Sequence, residues 1–310
     1  MANPLGNTPL SRQAFLGTTL AALAAIGFSA KAILVKLAYA SPVDAVTLLA
    51  LRMAFSGPFF IAAALWSRRY HPAAPLERRD WFAVLALGLI GYYLSSLLNF
   101  YGLQYITAGL ERLILFLYPT MVVVLSVFLF KRRIGRREIF ALVLSYAGVL
   151  LVFVHDVSAH QEGLALGASL VFASTLTYSV YLVVAGQALA RIGVIRFTAY
   201  AMIVASIATF LQFALTHPAS ALALPPRVYA LGFTMAIVST VLPVFMLSFG
   251  IRMIGSGRTA LVGSIGPVAT IFLGHWILGE TLSLQQIGGS ILVLSGVLAI
   301  SIPRANSAPK

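Results

Sequence analysis

The chain contains no cysteine. Disulfides, thiol catalysis and cysteine-ligated zinc are excluded with it. Charge is nearly as scarce: Asp, Glu, Lys and Arg make up 9% of 310 residues, where soluble domains carry about a quarter. Acidic residues are the fewest, eight against 21 Lys and Arg. Also missing is the alternation of polar and apolar positions over about ten residues that marks membrane-barrel strands.

What is present is hydrophobic. Apolar residues form 60% of the chain, and mean hydropathy is +0.96. Runs of about 20 apolar residues recur along the whole length, enough to cross about 30 Å of hydrocarbon as helix. The class is an all-α polytopic membrane protein. The net charge of +13 would point to nucleic acid in a soluble protein. Here the basic residues lie in short loops between apolar runs, so membrane topology explains them and no nucleic-acid partner is expected.

Ten transmembrane helices are predicted, over 15–37, 43–66, 81–103, 108–130, 137–154, 163–186, 194–215, 228–249, 259–279 and 284–302. The connections leave no room for a soluble domain. The first run, with Arg12 before it and Ala30-Lys31-Ala32 within it, has features of a signal peptide with its cleavage site. Its length, and a counterpart in the second half, argue for a retained span.

That counterpart comes from an internal repeat. "YGLQYITAGLERLILFLYPT" at 101–120 lies over "FGIRMIGSGRTALVGSIGPV" at 249–268, and one constant offset places Gly102 on Gly250, Gly109 on Gly257 and Pro119 on Pro267. The same offset lays Gly148-Val149-Leu150 over Gly296-Val297-Leu298. Leucine matches are cheap in apolar sequence, but coincident Gly and Pro are not. Two repeats of five helices are predicted, 15–154 and 163–302, within a single transmembrane domain. Five is odd, so the second enters the membrane from the opposite side. The repeats are inverted, an organisation typical of transporters. Most Lys and Arg, notably Arg68, Arg69, Arg78, Arg79 and the cluster from Lys131 to Arg137, fall on one side, while the loop after the fifth span holds only Asp156 and Glu162. By the positive-inside rule both termini are cytoplasmic.

Ionisable groups inside spans are expensive and each is a functional candidate. Arg52 is the deepest, close to the midplane of the second span. It serves either as a structural group bonded to carbonyls or a carboxylate, or in substrate binding. Lys31 is a candidate pathway residue, and Lys36 is expected to snorkel to the interface. His275 is either an interfacial histidine or a ligand. In "AGLERLILFLYPT", Glu111 and Arg112 stand at the outer end of the fourth span. Glu complements the positive end of the helix dipole there and Arg opposes it. Neighbours on a helix point about 100° apart, so Glu111 is expected to meet Lys31 or Arg52, with Arg112 turned to headgroups or the external vestibule. An ordinary cap plus an interfacial Arg is the alternative. Glu111 shares a face with Leu115, Tyr118 and Val122, at spacings of four, seven and eleven.

Pro119 and Pro267 each remove a helix hydrogen bond. Paired prolines at matching places mark bendable, cavity-lining helices. Ser264, beside Gly263 and Gly266, leaves the ninth span's backbone accessible. Tyr92, Asn99 and Tyr101 of the third span, with Tyr118 and Tyr178, complete the candidate binding or gating set, although a tyrosine is as readily a packing residue. Trp66, Trp81 and Trp276 read as interfacial belt.

Gly27-Phe28-Ser29, Arg52, "ERLILFLYP" at 111–119 and "GSIGP" at 263–267 resemble the EamA branch of the drug/metabolite transporter (DMT) superfamily over essentially the whole chain. Within it the chain is similar to the YddG-type aromatic amino-acid exporters. The resemblance implies efflux of amino acids or related metabolites across a bacterial inner membrane. It also implies a central cavity between helices 1, 3, 4, 6, 8 and 9, with 5 and 10 peripheral. The family's common pattern places an acidic residue after both the fourth and ninth helices. Here Glu280 follows the ninth, but Lys131-Arg132-Arg133 follows the fourth.

The function expected is alternating-access export of a small amino acid or metabolite, without cofactor or metal. Export of another metabolite or a cationic drug is the nearest alternative. An intramembrane prenyl or phospholipid transferase would need clustered carboxylates for Mg²⁺ or a His/Asp/Ser constellation, and the spans offer little of either. A non-transporting receptor or assembly factor would have no need of inverted halves with paired prolines.

Overall fold

The computed structural model describes residues 9–70, 75–130, 135–158, 162–263 and 265–301, and all regular structure among them is helical. In chain order the helices are α1 (Pro9–Tyr39), α2 (Ala45–Tyr70), α3 (Arg78–Leu87), α4 (Ser95–Gly102), α5 (Ala108–Leu115), α6 (Tyr118–Phe130) and α7 (Arg136–Ser158). There follow α8 (Leu164–Ile192), α9 (Val194–Thr216), α10 (Pro226–Ala236), α11 (Leu242–Gly263), α12 (Ile265–Leu273) and α13 (Leu284–Ser301). Among the described residues seven helical stretches are long and apolar enough to cross a membrane. Ile139–His155, Ile265–Leu278 and Leu284–Leu298 are shorter apolar helices at the predicted fifth, ninth and tenth spans. Large apolar side chains such as Leu65, Phe82, Val143 and Leu215 face outward, as contact with lipid requires.

Local chemistry sets the helix starts. Asp44 accepts from Val46 N at 2.8 Å and Thr47 N at 3.0 Å ahead of α2. Glu77 and Asp80 form a reciprocal capping box on α3. The Thr107 hydroxyl accepts from Leu110 N at the head of α5. Gly193, at φ 91° between α8 and α9, occupies backbone space that L side chains rarely adopt.

The helices are irregular at specific places. A π-helical segment, Gly88–Leu94, joins α3 to α4, and another, Ile237–Val241, joins α10 to α11. These two fall at the same offset as the sequence repeat. The predicted fourth span is not continuous: it breaks at Phe116–Leu117, between α5 and α6, just before Pro119. Across the break Phe116 N bonds Arg112 O at 3.0 Å and Leu117 N bonds Ile114 O at 3.1 Å. The face expected to carry Glu111, Leu115, Tyr118 and Val122 therefore loses its register at that point.

A second difference concerns the predicted connection between the eighth and ninth spans, where α11 keeps helical backbone through to Gly263. Its neighbours nevertheless reverse direction. Pro243 lies against Gly27, and Gly250 against Gly17 and Ala21, at successive levels along α1. Ile254 lies against Gly17, while Gly266 O accepts from Ser29 Oγ at 2.8 Å. The chain thus runs along α1 in one direction and back in the other, with backbone that stays locally helical.

The principal packing pairs are α1 with α11, α7 with α13, α2 with α9, and α4 with α8. Glycines permit the closest approaches. Gly148 of α7 and Gly289 of α13 face each other, and a Cβ built on either would come within 2.6 Å of the other's carbonyl oxygen. Such small-residue contacts replace the hydrophobic driving force that lipid does not supply.

Replacing Gly148 or Gly289 with Val is expected to destabilise the protein by about 1–3 kcal/mol through overpacking, read as a lower thermal midpoint in detergent. Gly57→Ala, where a Cβ meets nothing within 4 Å, should show no loss. Asp44 supplies a pH-dependent test. Partial burial pushes its carboxyl up, but the bonds from Thr47 and Val46 and the nearby His217 outweigh this and hold it below the usual carboxylate range. A depressed carboxylate contributes stability above its unfolded value, about 3.9, and loses that contribution as pH falls through its folded value. Thermal melts from pH 6 to 3 should show a step in the wild type that Asp44→Asn removes.

Candidate functional site

The charged side chains predicted within the spans converge. Lys31 projects from the C-terminal third of α1, and its Nζ lies 3.4 Å from Glu111 Oε1. Glu111 sits in the first turn of α5 and is only 1% exposed, against 17% for the Lys31 side chain. Asn99 of α4 donates from Nδ2 to the same Oε1 at 2.8 Å. One carboxylate oxygen thus ties α1, α4 and α5 together. The other oxygen, Glu111 Oε2, is buried without a partner, as is Asn99 Oδ1.

Arg52 enters from α2, 6% exposed. Its Nη2 donates to Ser96 Oγ at 2.9 Å, and its guanidinium lies 4.9 Å from the centre of the Phe100 ring, within cation–π range. Its Nε has no partner. The expectation for Glu111 is met through Lys31, with Arg52 held separately on α4.

Arg112 departs from its expected place. It is not turned to headgroups: its guanidinium lies against Gly266 at the start of α12, where a Cβ would collide with Nη2. Tyr118 and Tyr178 stand beside it, and its Nε is buried without a partner. The reason is packing. α5 is a single short helix with α1, α8 and α12 around it, so two directions about 100° apart on its surface both meet protein.

Tyr118, Tyr178 and Tyr92 form a continuous aromatic wall through a residue outside the predicted set, Tyr181. The Tyr118 and Tyr178 rings meet edge-on at 6.0 Å, and Tyr178 stacks on Tyr181 at 5.7 Å. Tyr181 shares a 3.0 Å hydroxyl contact with Tyr92. Gly91 makes room for it, since a Cβ there would lie 2.4 Å from the Tyr181 ring. Lys31, Tyr92, Arg112, Tyr118 and Tyr178 are each deep within the bundle yet retain accessible surface.

Two predicted residues lie elsewhere. Tyr101 stands near Tyr39 and Asp44 at the turn between α1 and α2. His275 is exposed, and its Nδ1 lies 2.9 Å from the Glu280 carbonyl oxygen. Ser264 lies outside the described residues. Pro267 is buried in α12, next to the Gly266 carbonyl that accepts from Ser29 and Thr270.

One polar link was not expected. Glu280 accepts from Ala108 N at 2.8 Å and Gly109 N at 3.3 Å, placing a carboxylate on the N-terminus of α5, where the helix dipole favours it. Its position after Gly279, at the end of the ninth predicted span, was the available signal. Among the described residues no group of His, Asp and Glu is placed to hold a metal ion.

A multi-pass helical bundle with a charged and aromatic interior is the architecture of a membrane transporter. The model of the EamA-like transporter family matches residues 15–154 and 165–302. The uncharacterized transporter YcbK of Bacillus subtilis is 30% identical over 92% of this chain and 94% of its own. YyaM of the same organism, also an uncharacterized transporter, is 26% identical over 74% of this chain and 77% of its own. One solved crystal structure superposes with a TM-score of 0.64 at 18% identity, over 92% of this chain and 96% of that one, a likeness of fold. The chain belongs to the EamA-like transporter family and is a membrane transporter of the DMT superfamily.

Removing one partner of a buried pair leaves the other charge uncompensated, at a cost of about 3–5 kcal/mol. Glu111→Gln and Lys31→Met are each expected to lower the thermal midpoint strongly, and the double variant to recover much of the loss. Additive losses in that double-mutant cycle would mean the two side chains do not interact.

Proposed function

We propose that this protein exports amino acids or related small metabolites across a bacterial inner membrane by alternating access. Its termini are cytoplasmic and its ten helices are arranged as two inverted repeats of five. The carrying observation is the meeting of Lys31, Arg52, Asn99, Glu111 and Arg112 beside an aromatic wall, on a helix broken at its centre. Cations there attract a carboxylate, and the rings of Tyr118 and Tyr178 offer a surface for a side chain. The break before Pro119 supplies a joint about which α5 and α6 can pivot.

Several observations support the two-repeat arrangement. The family model matches twice in tandem, and the π segments Gly88–Leu94 and Ile237–Val241 fall at the repeat offset. The packing pairs α2 with α9 and α7 with α13 each join predicted equivalents, spans 2 with 7 and 5 with 10. Gly102 lies against the Gly167 carbonyl, and its equivalent Gly250 against the Gly17 carbonyl. A two-fold relation between halves produces all four.

Counterflow into proteoliposomes with a panel of labelled amino acids and small organic acids tests the proposal. Saturable exchange of at least one compound is expected, falling by about tenfold or more in Arg52→Gln as a charge-assisted contact is lost. Wild-type exchange in that variant, for every compound carried, would remove Arg52 from the substrate path.

A further inference from the structure

Among the described residues the interior cluster has an unbalanced charge. Lys31, Arg52 and Arg112 bring three cations to it, and Glu111 brings one carboxylate. The chain has only eight Asp and Glu in all, and the other described acidic side chains are committed elsewhere. Asp44 caps α2 and faces His217. Asp80 caps α3 with Glu77 and pairs with Arg191 at 2.5 Å. Glu280 is bonded to the head of α5, and Glu162 is exposed just before α8. None of these balances the arginines.

A second, independent observation points the same way. The Nε donors of both Arg52 and Arg112 are buried without an acceptor. Arginine presents its donors in a planar fork matched to carboxylate and phosphate, and an unmatched donor in a dry interior is costly. Lys31 cannot take up the deficit, because it is engaged with Glu111. The Arg112 guanidinium also has little room to move: it lies against the bare backbone of Gly266, with Tyr118 and Tyr178 nearby.

We propose that the cluster of Arg112, Arg52 and Lys31 binds a small organic anion with two acidic charges, a dicarboxylate or a phosphate monoester, and so selects net anions over zwitterions and cations. This rests on the transport reading and narrows its substrate class to members of net negative charge, setting zwitterionic amino acids aside. The dianion brings the local balance of charge to zero and supplies acceptors to both guanidinium groups. The aromatic wall then selects by the shape of whatever the acidic groups carry.

The test uses the full chain in proteoliposomes and in detergent, with succinate, glycerol 3-phosphate, phenylalanine and tyramine as probes. Succinate or glycerol 3-phosphate is expected to raise the thermal midpoint and to exchange in counterflow, and which of the two does so identifies the acidic group. Phenylalanine and tyramine should do neither at equal concentration. Arg112→Gln should weaken binding by on the order of tenfold to a hundredfold. Gly266→Ala, which displaces the guanidinium without altering the charge count, should weaken it as well, while Arg112→Lys retains part of the affinity. Monodisperse elution and a cooperative melt without probe show that each variant is folded. Binding of phenylalanine or tyramine as tight as that of the dianions overturns the proposal, as does unchanged dianion binding in Arg112→Gln. Exchange of phenylalanine but of neither dianion leaves the transport reading standing and removes the anion selectivity. A protein that neither binds nor exchanges any of the four loses both.

Discussion

A charged group in hydrocarbon has no water to turn to, and the interior of this bundle is organised by that constraint. Glu111 answers it with Lys31 and Asn99 on a single oxygen. Arg52 answers it with a serine hydroxyl and the face of Phe100. Arg112 answers it with the backbone of Gly266, a position where any side chain would collide. Each solution requires a partner from a different helix, so the charges fix which helices are neighbours. A polar network of this kind holds α1, α2, α4, α5 and α12 around one point, more specifically than apolar packing between lipid-like surfaces could.

The same constraint governs the backbone. Breaks and π turns leave carbonyls without their usual helical donors, and at membrane depth these are tolerated only against protein or a cavity. The hydroxyls of α8 and α1 meet that need here. Thr175 reaches Ile114 O at 3.4 Å, Ser179 reaches Tyr118 O at 3.4 Å, and Ser29 reaches Gly266 O at 2.8 Å. The breaks these hydroxyls serve lie on the inside of the bundle, next to the charged cluster. A third π segment, Gly274–Leu278, turns outward instead, with Trp276 75% and Ile277 51% exposed. Regular helices such as α7 and α13 pack glycine to glycine.

Hydropathy located the apolar helices because burial in lipid depends on composition more than on detail. Pro119 located the break in the fourth span, since a missing N–H is legible in any context. The partnership of Lys31 and Glu111 was also legible, as opposite charges at comparable depth have few alternatives. Arg112 was not. Its direction depended on whether α5 presents that side to lipid or to α8 and α12, and a helix's neighbours are a tertiary property. Glu280 escaped for the same reason, since its target is the backbone of α5 and not a side chain with a readable charge. The π segments have no residue signature of their own, and the helical backbone across 250–258 overrode four glycine and serine residues that read as a connection.

Duplication separates scaffold from specialisation. If the chain is two related halves, what recurs at the offset is geometry: glycine contacts, prolines and π turns. The charged residues behind the polar links do not recur. Thr259 and Ala260 stand where Glu111 and Arg112 stand in the first half, and Arg132 stands opposite Glu280. A fold that must rock between two states needs equivalent hinges in each half, which favours keeping the geometry in both. A site that must distinguish one solute from another needs only one copy of each recognising group, and a second set of buried ions would cost several kcal/mol per charge. The singular residues also fall unevenly along the bundle. Glu280 on α5, Lys36 on the Leu103 carbonyl at 3.3 Å and His217 on Asp44 at 3.2 Å gather at the end of α1 near Tyr39. These links rest on residues that the sequence repeat does not duplicate: Val184 stands at the offset from Lys36, and Ile192 at the offset from Asp44.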